Sequence, residues 1–215
     1  LRSVGVAGRP IRLELAYGVA ALGVDERSQA LATLRVGHLV RTTGVRAVDL
    51  VEPYHDRIRE TAVSLLDEAP LREVHGRLAA ALEKSGGADP ETLYVHHRGA
   101  GDHSRALDYA ETAAANAARA LAFDRAAELY RMALETMTLV GVPDDERRHQ
   151  LLLRLAEALV NGGRGADAAK AYVEATESAT PEERPDLERK AAEQLLCAGH
   201  IDEGQDRDVE GIAEP

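Results

Sequence analysis

The sequence predicts a mostly α-helical chain, a small mixed head followed by antiparallel helix pairs, and three observations predict it. Alanine fills 38 of 215 positions, Trp is absent and Phe occurs once. Ala is the best helix former, whereas sheets lean on β-branched and aromatic side chains. Glycine and proline break the chain at helix-length intervals beyond residue 70. A pattern of small and aromatic residues returns after 42 residues.

Charge divides the chain. Against a net charge of −11, residues 1–60 hold 9 Arg and 7 acids, a surplus of two positive charges. The acidic remainder argues against a nucleic-acid groove there, since phosphate binding needs clustered Lys and Arg. The single cysteine, Cys197, excludes an intrachain disulfide framework. No apolar run approaches the roughly 18 residues a spanning helix needs, and no secretory leader pattern opens the chain. The cytoplasm is therefore the expected compartment. A start at Leu1 rather than Met suggests a fragment, and only 3 Lys among 26 basic residues suggests a GC-rich bacterial genome.

The head, residues 1–68, is mixed. Pro10 opens a helical pattern (Leu13, Leu15, Ala16, Val19) that Gly23 stops. Asp25 caps a second, with Ala30, Leu31, Leu34 and Val36 apolar. Two β-prone runs, Leu39 to Thr43 and Arg46 to Val51, flank Gly44 as a hairpin. Pro53 ends the hairpin and starts a helix at about residue 54, with Ile58, Ala62, Leu65 and Leu66 on one face. Helix, helix, hairpin, helix is the order of a winged-helix domain without its first helix; Val4–Gly8 is read as the end of that helix.

Beyond the head the spacing predicts helices at 70–84, 90–99, 103–119, 122–138, 145–161, 165–178 and 182–197, joined by short connections that favour antiparallel neighbours. Ala126, Tyr130 and Ala133 return 42 residues later as Ala168, Tyr172 and Ala175. Leu152, Leu155-Ala156 and Leu159 precede the second copy as Ala110, Ala113-Ala114 and Ala117 precede the first. A third copy begins at Ala191-Ala192, Leu195 and Gly199. Small, aromatic and small positions of this kind form the helix-pair pattern of tetratricopeptide (TPR) repeats, placed over 69–204 as a TPR-like α-solenoid. Residues 205–215 are expected to be a disordered tail.

The run Asp49 to Ala62, with Tyr54-His55-Asp56 at its centre, resembles the end of the winged-helix domain in STAND signalling ATPases. These include bacterial regulators of the maltose-activator type and bacterial Ser/Thr kinases carrying an ATPase and a TPR array. Val74-His75 through Leu82 resembles the first helix of their repeat region, and Ala122 to Tyr130 resembles their repeats. The resemblance covers about residues 1–204. It implies that His55 reaches the phosphate of bound ADP, that Asp56 holds the local fold, and that Arg57 and Arg59 pair with phosphate or with acids. A plain structural role for His55, capping its helix or packing beneath the hairpin, is the alternative. No G-x-x-x-x-G-K-[ST] phosphate loop occurs. The resemblance thus implies that ATP and ADP belong to an upstream ATPase domain acting in cis. This chain is expected to carry no cofactor and no catalysis.

Other candidates read as structure. His96-His97 with His103 invites a metal, but adjacent helical residues point about 100° apart and no third ligand stands at zinc spacing. A polar helix end is expected there instead, with packing of His97 against the next helix as the alternative. Cys197, after Leu195-Leu196, is expected as a buried thiol, and Tyr94, Tyr109, Tyr130 and Tyr172 as core. The function expected is a regulatory and protein-interaction module, with a protein or peptide partner on the repeats and no membrane. The alternative is a DNA-binding winged-helix regulator with a helical dimerisation or ligand-sensing region, reading DNA with residues 25–36. Nucleic acid is the weaker expectation, because Arg27 and Arg35 stand beside Asp25 and Glu26.

Overall fold

The computed structural model describes residues 1–141 and 144–199. The tail expected over 205–215, and residues 200–204 of the repeat region, lie outside them. Among the described residues are eleven helices and one three-stranded sheet. The chain divides into two compact units, Leu1–Arg105 and a second from Ala106 onward.

The first unit runs α1 (Arg2–Ala7), β1 (Ile11–Arg12), α2 (Leu13–Val19), α3 (Val24–Val36), β2 (Val40–Thr42), β3 (Leu50–Pro53), α4 (Asp56–Ser64), α5 (Glu68–Ser85) and α6 (Pro90–Ala100). β3 is central and antiparallel to both neighbours, with Ile11 opposite Val51 on one side and Val40 opposite Pro53 on the other. The core gathers Val4, Val6, Ile11, Leu13, Val51 and Leu78. α1 packs on α4 and α5. Gly5 permits that approach, because a Cβ there would already touch the Ala62 Cβ at 3.4 Å.

Four expectations for the head are corrected. Pro10 precedes a strand: Ile11 pairs with Val51, and the helix starts only at Leu13. Gly23, not Asp25, is the N-cap of α3, with the Glu26 carboxylate accepting its N–H at 2.8 Å. The second hairpin strand begins at Leu50 because Asp49 folds back, accepting the Arg46 N–H at 2.8 Å. The helix after the hairpin begins at Asp56, not 54, because Tyr54 N–H donates to the Leu39 carbonyl at 3.1 Å and keeps the chain extended. Leu65 consequently falls at the C-cap of α4 and is 76% exposed, while Val63 and Leu66 turn to the core.

The second unit holds the rest of α7 (His103–Arg119), then α8 (Phe123–Val140), α9 (Asp145–Asn161), α10 (Gly165–Ala175) and α11 (Arg184–Cys197). From α8 to α11 consecutive helices are antiparallel. Asp124 at the start of α8 lies by Gly162 after α9, and Arg148 at the start of α9 pairs with Glu174 at the end of α10. Gly165 at the start of α10 lies against the Gln194 carbonyl near the end of α11. Ala126, Ala133, Ala168 and Ala175 are wholly buried at these contacts, and Tyr130 and Tyr172 are buried beside them. Asp144 caps α9 by accepting the Arg147 N–H at 2.9 Å. α10 stops at Ala175 rather than 178, and α11 starts at Arg184 rather than 182. Between them Thr180 and Glu183 bond each other's backbone N–H with their side chains, at 3.1 and 3.3 Å. The buried face of α11 is Leu187, Ala191, Ala192 and Leu195. Cys197, two residues beyond and about 200° round, is exposed, against the buried thiol expected.

Candidate functional site

The sequence-predicted site lies at the start of α4. The extended chain beyond β3 carries Tyr54 and His55 outward, and His55 is the N-cap, with φ −142° and ψ 153°. Its carbonyl accepts from the N–H groups of Ile58 and Arg59 at 3.0 and 3.3 Å, while its side chain makes no capping bond and is exposed. The Tyr54 ring stands edge-on to His55 at 4.8 Å and to His38 at 5.8 Å. His38 was not foreseen; it arrives through a left-handed bend (φ 50°) between α3 and β2. Arg59 lies one turn after His55 and is tied to Asp56 at 3.5 Å and Glu60 at 4.0 Å. Within α4, Arg57 projects about 200° from Arg59. Arg59, half-buried, is held by the Asp56 and Glu60 carboxylates, while Arg57 and His55 are exposed. An imidazole and exposed backbone N–H groups at a helix start favour an anion. The recognition helix of the DNA-binding alternative turns Arg27 inward, onto the Leu22 carbonyl at 3.3 Å and the Tyr17 ring.

A second polar cluster joins α5 and α6, where the sequence reading expected a polar helix end with His97 packed against the next helix. His96 and His97 are both buried. His75 Nδ1 and His96 Nδ1 are 3.0 Å apart, so one nitrogen donates and the other accepts. Burial lowers the pKa of both. For His96, burial first, then His75, His97 and Arg9, bring it to about 4. Gly99 makes room for this pair: a Cβ there would lie 2.6 Å from the His75 ring. His97 sits between Glu83 at 3.0 Å and Asp102 at 3.5 Å, and Arg105 bridges the same carboxylates at 3.4 and 3.6 Å. Among the described residues no group of three metal-ligating side chains converges.

In the second unit, ion pairs join α7 and α9. Arg147 ties Asp108 at 2.6 Å and Glu111 at 2.5 Å. Burial raises the pKa of the Tyr130 and Tyr172 phenols, and Glu157 acts in the same direction on both. Arg154 and Glu157 are exposed, and Lys190 lies over the Tyr172 ring at 6.0 Å. Tyr94 is also core as expected, while Tyr109 is half-buried.

No described helix is long and apolar enough to cross a membrane. No family model and no curated protein matches the chain. A Podosopora anserina putative kinesin light chain with nearly identical TPR-like repeats is 17% identical, with a TM-score of 0.44 over 73% of this chain and 83% of that one. A substituted form of that protein gives 0.43 at the same identity and coverage. A STAND protein with a tetratricopeptide repeat sensor from Pyrococcus horikoshii is 12% identical, with a TM-score of 0.41 over 98% of this chain. This chain spans 43% of that protein's length. At these identities and TM-scores none of the three assigns the chain to a family.

Proposed function

We propose that the chain is a non-catalytic regulatory and protein-interaction module of a multidomain signalling ATPase or kinase. Residues 1–68 act as a winged-helix head that senses nucleotide state in an upstream ATPase domain, and 69–204 as TPR-like repeats that hold a protein partner or fold back to restrain that ATPase. The observation that carries the reading is the buried Ala–Tyr–Ala triplet recurring on α8 and α10 in antiparallel helix pairs. Such pairs stack into extended binding surfaces. The order helix, strand, two helices, two strands, with β3 between β1 and β2, supports the winged-helix reading of the head. The exposed His55 at the α4 N-cap supports its sensor role.

The test has two arms. Screened against immobilised peptides, the chain should retain ligands whose binding falls about tenfold when Arg154→Glu and Lys190→Glu are combined, the size of a charged-contact effect. In the parent protein, His55→Ala should weaken ADP binding and raise basal output. Calorimetric binding of ATP or ADP to this chain alone, or a screen in which no retained peptide responds to the charge reversal, overturns the reading.

A further inference from the structure

The first unit carries a groove of about 1130 Å³. One wall is the segment from Arg9 through α2; the other is the end of α5 with the turn that follows it. Ile11, Leu15, Val19 and Ala81 supply an aliphatic floor. Arg9 and Arg12 stand on the first wall, Arg77 and Lys84 on the second, against two carboxylates, Glu14 and Asp89. Four cations against two anions leave a positive lining in a chain of net charge −11.

Two of the four cations are structural. Arg9 spans the walls, donating to Thr92 Oγ1 and lying 3.6 Å from Asp89. Arg77 donates to the Val19 carbonyl at 3.3 Å, pinning α5 to α2. The other two are available to a ligand. Arg12 is 60% exposed and reaches only as far as Glu14, at 3.9 Å, and Lys84 is exposed.

Pockets for small molecules enclose the ligand and bring a few polar groups to one point. Here the charges are distributed along two walls of an open trough. We propose that this groove is a second interaction surface, taking an extended peptide segment in which aliphatic side chains alternate with Asp or Glu. In an extended chain alternate side chains point to opposite faces. One face then buries aliphatic groups on the floor, and the other turns carboxylates to Arg12 and Lys84. Rim charges of this kind set partner choice and association rate, and salt weakens them. The groove lies wholly within the first unit and shares no residue with α8–α11.

Fluorescence anisotropy on the full chain tests it, with a labelled peptide of alternating Leu and Glu against Leu/Lys and Ser/Glu controls. The Leu/Glu peptide should bind about tenfold tighter than either control and weaken as salt rises. Arg12→Glu and Lys84→Glu should each weaken it several-fold with unchanged thermal melting, while Lys170→Glu, an exposed cation of the second unit, leaves it unchanged. Equal binding of the three peptides, or indifference to both groove variants, overturns the proposal. Saturable binding of dodecanoate without binding of the peptide does so too, in favour of a small amphiphilic anion.

Discussion

The two units bury their cores in opposite ways. The first is built on large aliphatic side chains, Leu13, Val51 and Leu78, gathered from a sheet and four helices. The second places alanine where its helices meet and lets tyrosine fill the gaps. In the first unit volume holds the elements together. In the second the absence of volume lets them approach. A truncation therefore injures the first unit most, and an enlargement the second.

That contrast can be broken by three measurements, each resolved by unit through hydrogen exchange read by mass spectrometry. Leu78→Ala carries the largest expected effect. The side chain is fully buried, so its loss should cost about 2–5 kcal/mol, with faster exchange in α1, α2 and α5 and none in α9 or α10. Acid comes next. The folded pKa of His96, about 4, lies below the ordinary 6.5. Protons therefore favour the unfolded chain as pH falls from 6.5, and the loss should reach about 3 kcal/mol near pH 4. Exchange in α5 and α6 should rise over that window, and His75→Leu with His96→Leu should flatten the rise. Ala168→Leu is third, at roughly 1–3 kcal/mol; equal exchange in variant and parent would show that the contacts of α10 with α9 and α11 tolerate bulk.

The same contrast decided what the sequence disclosed. From α6 to α11 every element lay within three residues of its expected bounds. The signal there is local: a helix period, a Gly break and a partner helix close by. The head was harder. Ile11 owes its strand to Val51, a partner no local window contains, and a Pro before an apolar run then looked like a helix start. Tyr54 stayed extended because of the Leu39 carbonyl, which displaced α4 by two residues and took Leu65 off its stripe. The exposure of His55 at the helix start was legible, since an N-cap needs only the strand end before it. The His38–Tyr54 contact was not, because it requires the bend after α3. The burial of His96 was missed because its partner, His75, sits on another helix, and the Glu83 partner of His97 was missed for the same reason.

Gly99 and His75 have a consequence for the routes by which this sequence can change. The imidazole occupies the volume a side chain at position 99 would need, approaching to 2.6 Å at Cγ and Nδ1, and moving it aside would part its Nδ1 from His96 Nδ1, 3.0 Å away. A mutation at 99 is therefore acceptable only in a lineage that has already replaced His75. His75 can be replaced first, at the cost of leaving His96 without its partner. The order of substitution is constrained in one direction, so the two positions should behave as a one-way step in any evolutionary walk through the α5–α6 hairpin.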